Sequence, residues 1–232
     1  LYRQPSVQLL PVQEEHAVLQ HRVPAARAFG HANAINTPFF EPKKKKLALI
    51  TVGKAYGDVM QAFSDLHITK EEAEDIGIGL YIVRMSWPLD DKGIRQFATG
   101  YEEVLVVEEK AAFVEPQVTQ ALFNLPEQNR PRLTGKRDLE NNPLLPTGGE
   151  LSPTVVRGAI ISRMMAHNLL EARHKEQLDR LEKLEQGLAR NPGTIVPRTP
   201  AFCSGCPHNR STKIPDGSIA LAGIGCHTMA AR

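Results

Sequence analysis

The sequence predicts an α/β fold in which a parallel sheet is flanked by helices. Short apolar runs of strand length alternate with segments in which apolar residues recur at helical spacing. Runs that are apolar at nearly every position are typical of parallel strands buried on both faces. Strands that alternate with helices indicate βαβ units, for which right-handed crossovers are expected.

The bulk composition is that of a globular protein. The chain has 232 residues, of which 41% are hydrophobic and 23% charged, and its net charge is +2. The low net charge does not suggest a nucleic-acid partner, and no 18-residue apolar run predicts a membrane helix. Neither a signal peptide nor a secreted disulfide pattern is visible, so we predict a cytoplasmic protein. The first residue, Leu1, and the last, Arg232, suggest an internal part of a longer polypeptide.

The first predicted strand covers Leu47–Val52, where Gly53 permits a tight turn into a helix over Tyr56–Leu66. The segments that follow have the same alternation. In chain order they are a strand over Gly79–Met85, a helix over Lys92–Thr99, a strand over Glu103–Glu108, a helix over Val114–Leu122, and a short strand over Arg132–Thr134 in an otherwise irregular stretch.

Two further helices are predicted after the sheet. Ser152 is a good helix cap and Pro153 suits the first helical position, so a helix is expected to run to about Asn168. Leucines at three- and four-residue spacing predict an amphipathic helix over Leu170–Arg190, which Asn191–Gly193 would end.

The region before the sheet is predicted to be a helix followed by a linker. Apolar residues are near helical spacing over Leu19–Ala34, and the prolines of Asn36–Pro42 disfavour regular structure. The basic run Lys43–Lys46 is interpreted as a solvated entry to the first strand.

These patterns divide the chain into four predicted parts. They are a linker or the end of a preceding domain (1–42), the α/β domain (43–140), a helical connector (141–196) and the truncated start of a second α/β domain (197–232). The last part contains the strand-like run Ser218–Ala222.

The strongest chemical signal is the pair Cys203-X-X-Cys206, with a third thiol at Cys226. A turn at this spacing points two sulfurs at one metal or cluster. A 4Fe-4S cluster needs a fourth ligand, which the chain lacks as a cysteine. Zinc would accept the three cysteines with His208 or His227. A thioredoxin-like redox pair is disfavoured, because the sequence after Cys206 does not predict the helix that such a pair precedes. The spacing alone does not decide between a cluster, a zinc site and cysteines without a metal.

Two weaker signals lie at predicted strand ends. Gly53-Lys-Ala-Tyr-Gly57 resembles a phosphate-binding loop only in part, and a plain strand-to-helix turn is the favoured interpretation. Glu108 and Glu109 end a strand where open α/β sheets place functional groups, although an exposed strand end explains them equally well.

The cysteine segments also carry a family resemblance. Phe202–Asn209 and Leu221–Met229 resemble the large fused indolepyruvate ferredoxin oxidoreductases, which are thiamine-diphosphate-dependent 2-oxoacid:ferredoxin oxidoreductases. The resemblance continues through Ile50–Val59, Met85–Leu89 and Val106–Lys110, and it covers most of the chain from residue 20 onward.

The resemblance implies an enzyme that oxidatively decarboxylates a 2-oxoacid such as indolepyruvate to its acyl-CoA and passes electrons to ferredoxin. It implies that Cys203, Cys206 and Cys226 bind a 4Fe-4S cluster near thiamine diphosphate. It also implies that Gly225 and His227 contact that cofactor and that His227 and Thr228 lie at the active site, although no catalytic residue is assigned. The α/β domain would resemble the transketolase C-terminal domain and be mainly architectural. The other domains of the parent enzyme, coenzyme A, the 2-oxoacid and a second copy of the enzyme are the remaining expected partners.

The sequence departs from the family in two respects. The Gly-Asp-Gly type of motif that holds magnesium and the diphosphate is absent, as is a fourth cysteine. We therefore expect that this chain alone neither binds thiamine diphosphate well nor turns over. Two rival functions stay open, namely a zinc-stabilised binding module and a thiamine enzyme without a cluster.

Overall fold

The structure is a computed structural model that describes residues 11–190, 200–221 and 223–231. The chain forms two compact units, Leu1–Glu182 and Lys183–Arg232. The predicted helix stop at Asn191–Gly193 lies outside the described residues.

A five-stranded sheet organises the first unit, in the order β1-β3-β2-β4-β5. Its strands are β1 (Thr37–Phe40), β2 (Leu47–Val52), β3 (Ile78–Val83), β4 (Glu103–Val107) and β5 (Arg132–Thr134). β2, β3, β4 and β5 are parallel, and only β1 is antiparallel to its neighbour. The predicted α/β fold with a mostly parallel sheet is therefore confirmed.

Helices cover both faces of this sheet. The helices of the first unit are α1 (Pro11–Ala17), α2 (Val23–Ala32), α3 (Ala55–Asp65), α4 (Lys70–Ile76), α5 (Asp91–Ala98), α6 (Val114–Leu122) and α7 (Pro153–Ala166). A π-helical turn, Val18–Arg22, joins α1 to α2. The predicted helix over Leu19–Ala34 is thus part of a longer helical arm.

The alternation of side chains along the strands builds two cores. Leu47 and Leu49 face the core that includes α3 and α7, whereas Ala48 and Ile50 face the core that includes α5 and α6. All four side chains are fully buried. The apolar runs of the sequence are therefore explained by burial on both faces.

The predicted linker over Asn36–Pro42 is wrong for its central part, because β1 pairs there with β3. Pro38 is tolerated since it lies on an edge strand, and the pairing is irregular between Pro38 and Phe40. The buried Asn36 side chain accepts from the N–H groups of Arg84 (2.9 Å) and Met85 (2.8 Å) and donates to the Met85 carbonyl. This amide replaces ladder hydrogen bonds, so β3 ends at Val83 rather than at the predicted Met85.

Helix α4 was not predicted, although the sequence contains its signal. Thr69 and Glu72 form a reciprocal capping box, with bonds of 3.2 Å and 2.8 Å between each backbone N–H and the other side chain. Gly77 ends the helix in the left-handed conformation, at φ 96°.

Helix α7 begins as predicted, with Ser152 as its cap and Pro153 in the first turn. Its apolar side chains join the core beneath α3. The packed unit therefore extends on both sides of the predicted 43–140 domain, to include β1 and α7.

A buried ionic network holds α7 to the sheet. The fully buried Glu103 of β4 accepts from Arg163 Nε (2.7 Å) and Nη2 (3.1 Å) and from the Thr134 hydroxyl (2.7 Å). His167 Nε2 lies 3.0 Å from the same carboxylate. Burial alone would raise the pKa of Glu103, but these hydrogen bonds outweigh it and hold the pKa below its ordinary value.

The second unit contains less regular structure. Helix α8 (Ala172–Arg190) begins in the first unit, α9 (His208–Ser211) is short, and a 3₁₀ turn covers Cys226–Ala231. The predicted strand-like run Ser218–Ala222 forms no strand over 218–221, and Ala222 is outside the described residues. None of the helices described is long and apolar enough to cross a membrane.

Candidate metal centre

The first two cysteines lie on one tight turn. The N–H of Cys206 donates to the Cys203 carbonyl (3.1 Å), and Gly205 between them has φ 76°. The Asn209 side chain donates to the same carbonyl at 3.1 Å. A glycine is favoured at this position because its φ lies in the left-handed region. The predicted thiol-bearing turn is therefore formed by local backbone contacts.

An imidazole lies beside the second of these thiols. His208 begins α9, directly after the turn, and its Nδ1 is 3.2 Å from Cys206 Sγ. The His208 ring stacks on Phe202, with 5.5 Å between the ring centroids, and on His227, with 6.4 Å. The stacking brings the Cys203–Cys206 turn and the segment after Gly223 into one neighbourhood.

The segment that carries the third cysteine is a self-bonded loop. The Gly223 N–H donates to His227 Nε2 (3.0 Å), and the Thr228 hydroxyl donates to the Gly223 carbonyl (2.6 Å). The Gly225 N–H in turn donates to the Thr228 hydroxyl at 3.2 Å. A Cβ at Gly225, whose φ is 152°, would lie 3.0 Å from the His227 ring. His227 and Thr228 therefore shape the loop around Cys226.

The three cysteines are chemically available but do not form a closed ligand set. Cys203 and Cys226 are exposed, Cys206 is half-buried, and all three are free thiols. Within residues 11–190, 200–221 and 223–231, no group of three or more His, Cys, Asp or Glu side chains is arranged to hold a metal ion. The donor types and the turn fit a thiolate-bound centre, and the position of Cys226 does not complete it.

Glu108 and Glu109 have structural partners at the end of β4. The buried Glu108 carboxylate accepts from the N–H groups of Val114 (2.8 Å), Glu115 (2.9 Å) and Phe113 (3.1 Å), so it caps α6. Glu109 accepts from the Leu151 N–H at 3.3 Å. The interpretation of Glu108 as an exposed strand end is therefore wrong, because its carboxylate compensates a helix N-terminus.

The glycine-containing loop after β2 also has an internal partner. Lys54 Nζ donates to the Leu151 carbonyl (2.6 Å) and pairs with Asp58 at 3.0 Å. Two lysines that the sequence analysis did not single out contact the same segment, which we call the flap (Pro146–Leu151). Lys110 Nζ donates to the Gly149 carbonyl (2.5 Å), and Lys136 Nζ donates to that of Pro146 (3.1 Å).

The comparison with family models decides the relationship. A model described as "Indolepyruvate oxidoreductase domain" matches residues 39–188, which is more than half of the chain. The chain belongs to this family. The matched residues of this indolepyruvate oxidoreductase domain include the second half of β1, the four parallel strands β2 to β5, and α7. No curated protein sequence matches the chain.

Solved structures similar to this indolepyruvate oxidoreductase domain match at low identity. One is described as 2-oxoglutarate:ferredoxin oxidoreductase from Magnetococcus marinus with 2-oxoglutarate, coenzyme A and succinyl-CoA bound. It is 16% identical, with a TM-score of 0.42, over 68% of this chain and 24% of that chain. Another is a split gene transketolase, inactive beta4 tetramer. It is 17% identical, with a TM-score of 0.35, over 62% of this chain and 41% of that one. This chain therefore spans less than half the length of either.

Proposed function

We propose that this chain is part of an oxidoreductase that oxidatively decarboxylates a 2-oxoacid, with indolepyruvate or another arylpyruvate as substrate. The products are the acyl-CoA and reduced ferredoxin. In this proposal Cys203, Cys206 and Cys226 bind a 4Fe-4S cluster, and the α/β unit is architectural. Family membership supports the reaction class.

The observation that carries the cluster proposal is the pairing of the two cysteine segments. The thiols of Cys203 and Cys206 share one backbone turn, and the stacked rings of His208 and His227 bring the Cys226 loop beside it. Thiolates at this spacing are the usual ligands of an iron–sulfur cluster.

The chain holds only part of the ligands that this chemistry needs. A fourth cluster ligand is absent as a cysteine, and the sequence has no Gly-Asp-Gly type of motif for magnesium and the diphosphate. The residues present therefore do not fit thiamine diphosphate by themselves. We propose that Gly225, His227 and Thr228 border that cofactor and that further domains and a second copy of the enzyme complete the site. This chain alone would then be catalytically inactive. The whole enzyme is proposed to be cytoplasmic.

In this proposal the cofactor and the residues of this chain have different roles. Thiamine diphosphate supplies the electron sink for decarboxylation when it is bound. The residues of this chain would fix the cluster ligands and hold the Cys226 loop in place. His227 accepts a backbone N–H and Thr228 bridges two glycines, so both are positioning residues of that loop.

Metal analysis of the full-length enzyme, purified without oxygen, tests the proposal. Iron with acid-labile sulfide and a visible absorption band are expected in the wild type, and both should fall strongly in Cys203→Ser, Cys206→Ser and Cys226→Ser. Ser204→Ala, in the same turn, is the matched control and should keep the cluster. Full iron and sulfide in all three cysteine variants would contradict the proposal.

A zinc-stabilised module is the second candidate, and the contact between Cys206 and His208 favours it. An imidazole 3.2 Å from a thiol, together with two further cysteines, matches a donor set that zinc accepts. The same preparation distinguishes the two functions, because zinc without sulfide or colour supports the module. His208→Ala should then lower the zinc content, whereas a cluster bound only by cysteines would persist.

A further inference from the structure

The carboxyl ends of the parallel strands lie at one end of the sheet. From there the connections after different strands run to opposite faces. Helix α3 follows β2 and packs with α7 on one face. Helices α5 and α6 follow β3 and β4 and pack together on the other face. In open α/β sheets, strands whose outgoing loops diverge leave a crevice in which ligands bind. The flap lies at this end of the sheet, because its carbonyls accept from lysines that follow β2, β4 and β5.

The flap lies between two buried leucines, and its middle residues are exposed. Leu145, which precedes it, and Leu151, which ends it, are fully buried in the same core. Residues 147–150 between them are exposed. Gly149 has φ 75°, and a Cβ at Gly148 or Gly149 would meet no atom within 4 Å. Exposed glycine-containing loops between fixed ends are typical of lids.

Three lysines from three strand ends hold the flap through its carbonyl oxygens. Lys54 follows β2, Lys110 follows β4 and Lys136 follows β5. Their Nζ atoms donate to the carbonyls of Leu151 (2.6 Å), Gly149 (2.5 Å) and Pro146 (3.1 Å). The three ammonium groups thus contact neutral carbonyl oxygens of the flap, and the one carboxylate of the flap, Glu150, lies 3.9 Å from Lys54.

Of the five nearby carboxylates, three accept from backbone N–H groups and two lie against Lys54. Glu108 caps α6, Glu109 accepts from the Leu151 N–H, and Glu115 accepts from the Lys136 N–H at 2.9 Å. Asp58 pairs with Lys54, and Glu150 lies 3.9 Å from it. In the part of the chain that the structure describes, no carboxylate forms an ion pair with Lys110.

Lys136 is the buried member of the three lysines, and its direct hydrogen-bond partners are carbonyl oxygens. Among the described residues, its Nζ donates to the carbonyls of Pro146 (3.1 Å) and Glu108 (2.5 Å). Burial lowers the pKa of Lys136, although the charges of Glu108, Glu115 and Glu109 oppose that effect. A buried ammonium that is bound by neutral oxygens would be better compensated by an anion.

We propose that this crevice binds a phosphate-type oxyanion and that the flap is the lid of the site. The carbonyl oxygens of the flap occupy the positions that the oxygens of the ligand take when the lid opens. A phosphate group suits the site because it offers several charged acceptor oxygens to separate ammonium groups. The site is independent of the proposed redox function.

Pyrophosphate, added to the full chain, is the probe. Its affinity is measured by titration calorimetry, and opening of the flap by hydrogen exchange at the Leu151 N–H. Wild type is expected to bind the probe and to exchange faster at Leu151 when it is present. Lys110→Gln should bind about five- to tenfold more weakly, since a charged contact is lost. The substitution lies on an exposed side chain, so the fold should persist.

Two further variants separate the lid from the site. Glu109→Gln removes a negative charge and weakens the contact with Leu151, so it should bind pyrophosphate more tightly than wild type. Lys92→Gln, an exposed lysine on α5, is the matched control and should behave as wild type. Failure of wild type to bind would overturn the proposal. Equal affinity in all variants, with unchanged exchange at Leu151, would mean an adventitious ion only.

Discussion

The two units of the chain differ in how far they bury their apolar side chains. In the α/β unit, the side chains of β2, β3 and β4 are almost entirely buried, and helices of the same unit cover them. In the second unit, Ile219, Leu221 and Ile224 have relative exposures of 88%, 96% and 106%. The second unit is shaped by backbone turns, hydrogen bonds and stacked rings.

The difference indicates where the stability of the chain arises. Buried apolar surface is the main favourable contribution to folding, so the α/β unit should account for most of the free energy of unfolding. The loop contacts around the cysteines should contribute little without a ligand. The single tryptophan, Trp87, lies in the α/β unit, so its fluorescence reports on the unfolding of that unit.

The largest expected effect comes from breaking the ionic network beneath α7. Arg163→Ala leaves the buried Glu103 carboxylate without its main partner, which should cost about 3–5 kcal/mol. Urea unfolding followed by Trp87 fluorescence measures the loss. Arg173→Ala, which removes exposed ion pairs, should change stability little. A similar loss in both variants would show that burial of the pair is unimportant.

A pair of glycine substitutions should have opposite effects on the same unit. A Cβ at Gly79 in β3 would lie 1.9 Å from the buried Tyr101 hydroxyl oxygen, so Gly79→Ala should destabilise by about 1–3 kcal/mol. Gly158 lies on the exposed side of α7 with no atom within 4 Å of its Cβ position. Gly158→Ala should therefore stabilise by about 0.5–1 kcal/mol. Thermal unfolding measures both changes, and a common sign would refute this packing argument.

Removal of the capping box should have a smaller effect. Thr69→Ala deletes one of the two reciprocal bonds at the start of α4 and should destabilise the α/β unit by about 1 kcal/mol. Ser64→Ala, at an exposed position of α3, is the control. Urea midpoints compare the two variants. Equal midpoints would mean that α4 is held by packing alone.

The stability of the chain should also depend on pH through His174. Burial, reinforced by the Arg173 charge, lowers the pKa of this buried imidazole. The unfolded chain then takes up the proton more readily, so the free energy of unfolding should fall as the pH drops below 6.5. His174→Leu should flatten this dependence, measured by urea titrations between about pH 7.5 and 5.5. An unchanged slope in His174→Leu would assign the dependence to another group.

The smallest effect is expected in the second unit. Cys226→Ser removes an exposed thiol, so in metal-free protein it should leave the unfolding curve reported by Trp87 unchanged. A clear shift of that curve would show that the α/β unit depends on the cysteine segment.

The elements of the α/β unit are more predictable from local sequence than those of the second unit, for the same physical reason. Leu47–Val52 and Val114–Leu122 were predicted with their observed bounds, because local pattern and burial agree there. β1 was missed since Pro38 disfavours a strand except at an edge, which only the three-dimensional pairing reveals. Helix α4 is predictable from local sequence, because the Thr69–Glu72 capping box and Gly77 mark its two ends.

Contacts between distant residues could not be predicted from local pattern. Arg163 and Glu103 are far apart in sequence, as are Lys110 and Gly149, and neither pair belongs to a motif. The turn at Cys203 and Cys206 was predicted because it is local. Ligation by these cysteines and Cys226 stays a prediction, because it depends on groups that this chain does not supply.

The two edges of the sheet have a consequence for the behaviour of the protein at high concentration. β1 contains Pro38, which has no N–H to offer a neighbouring chain, and its pairing with β3 is irregular. β5, at the opposite edge, is only three residues long. Short or proline-interrupted outer strands are poor templates for strand addition by another molecule. The apolar strands between them are thus shielded from the intermolecular pairing that leads to fibrils.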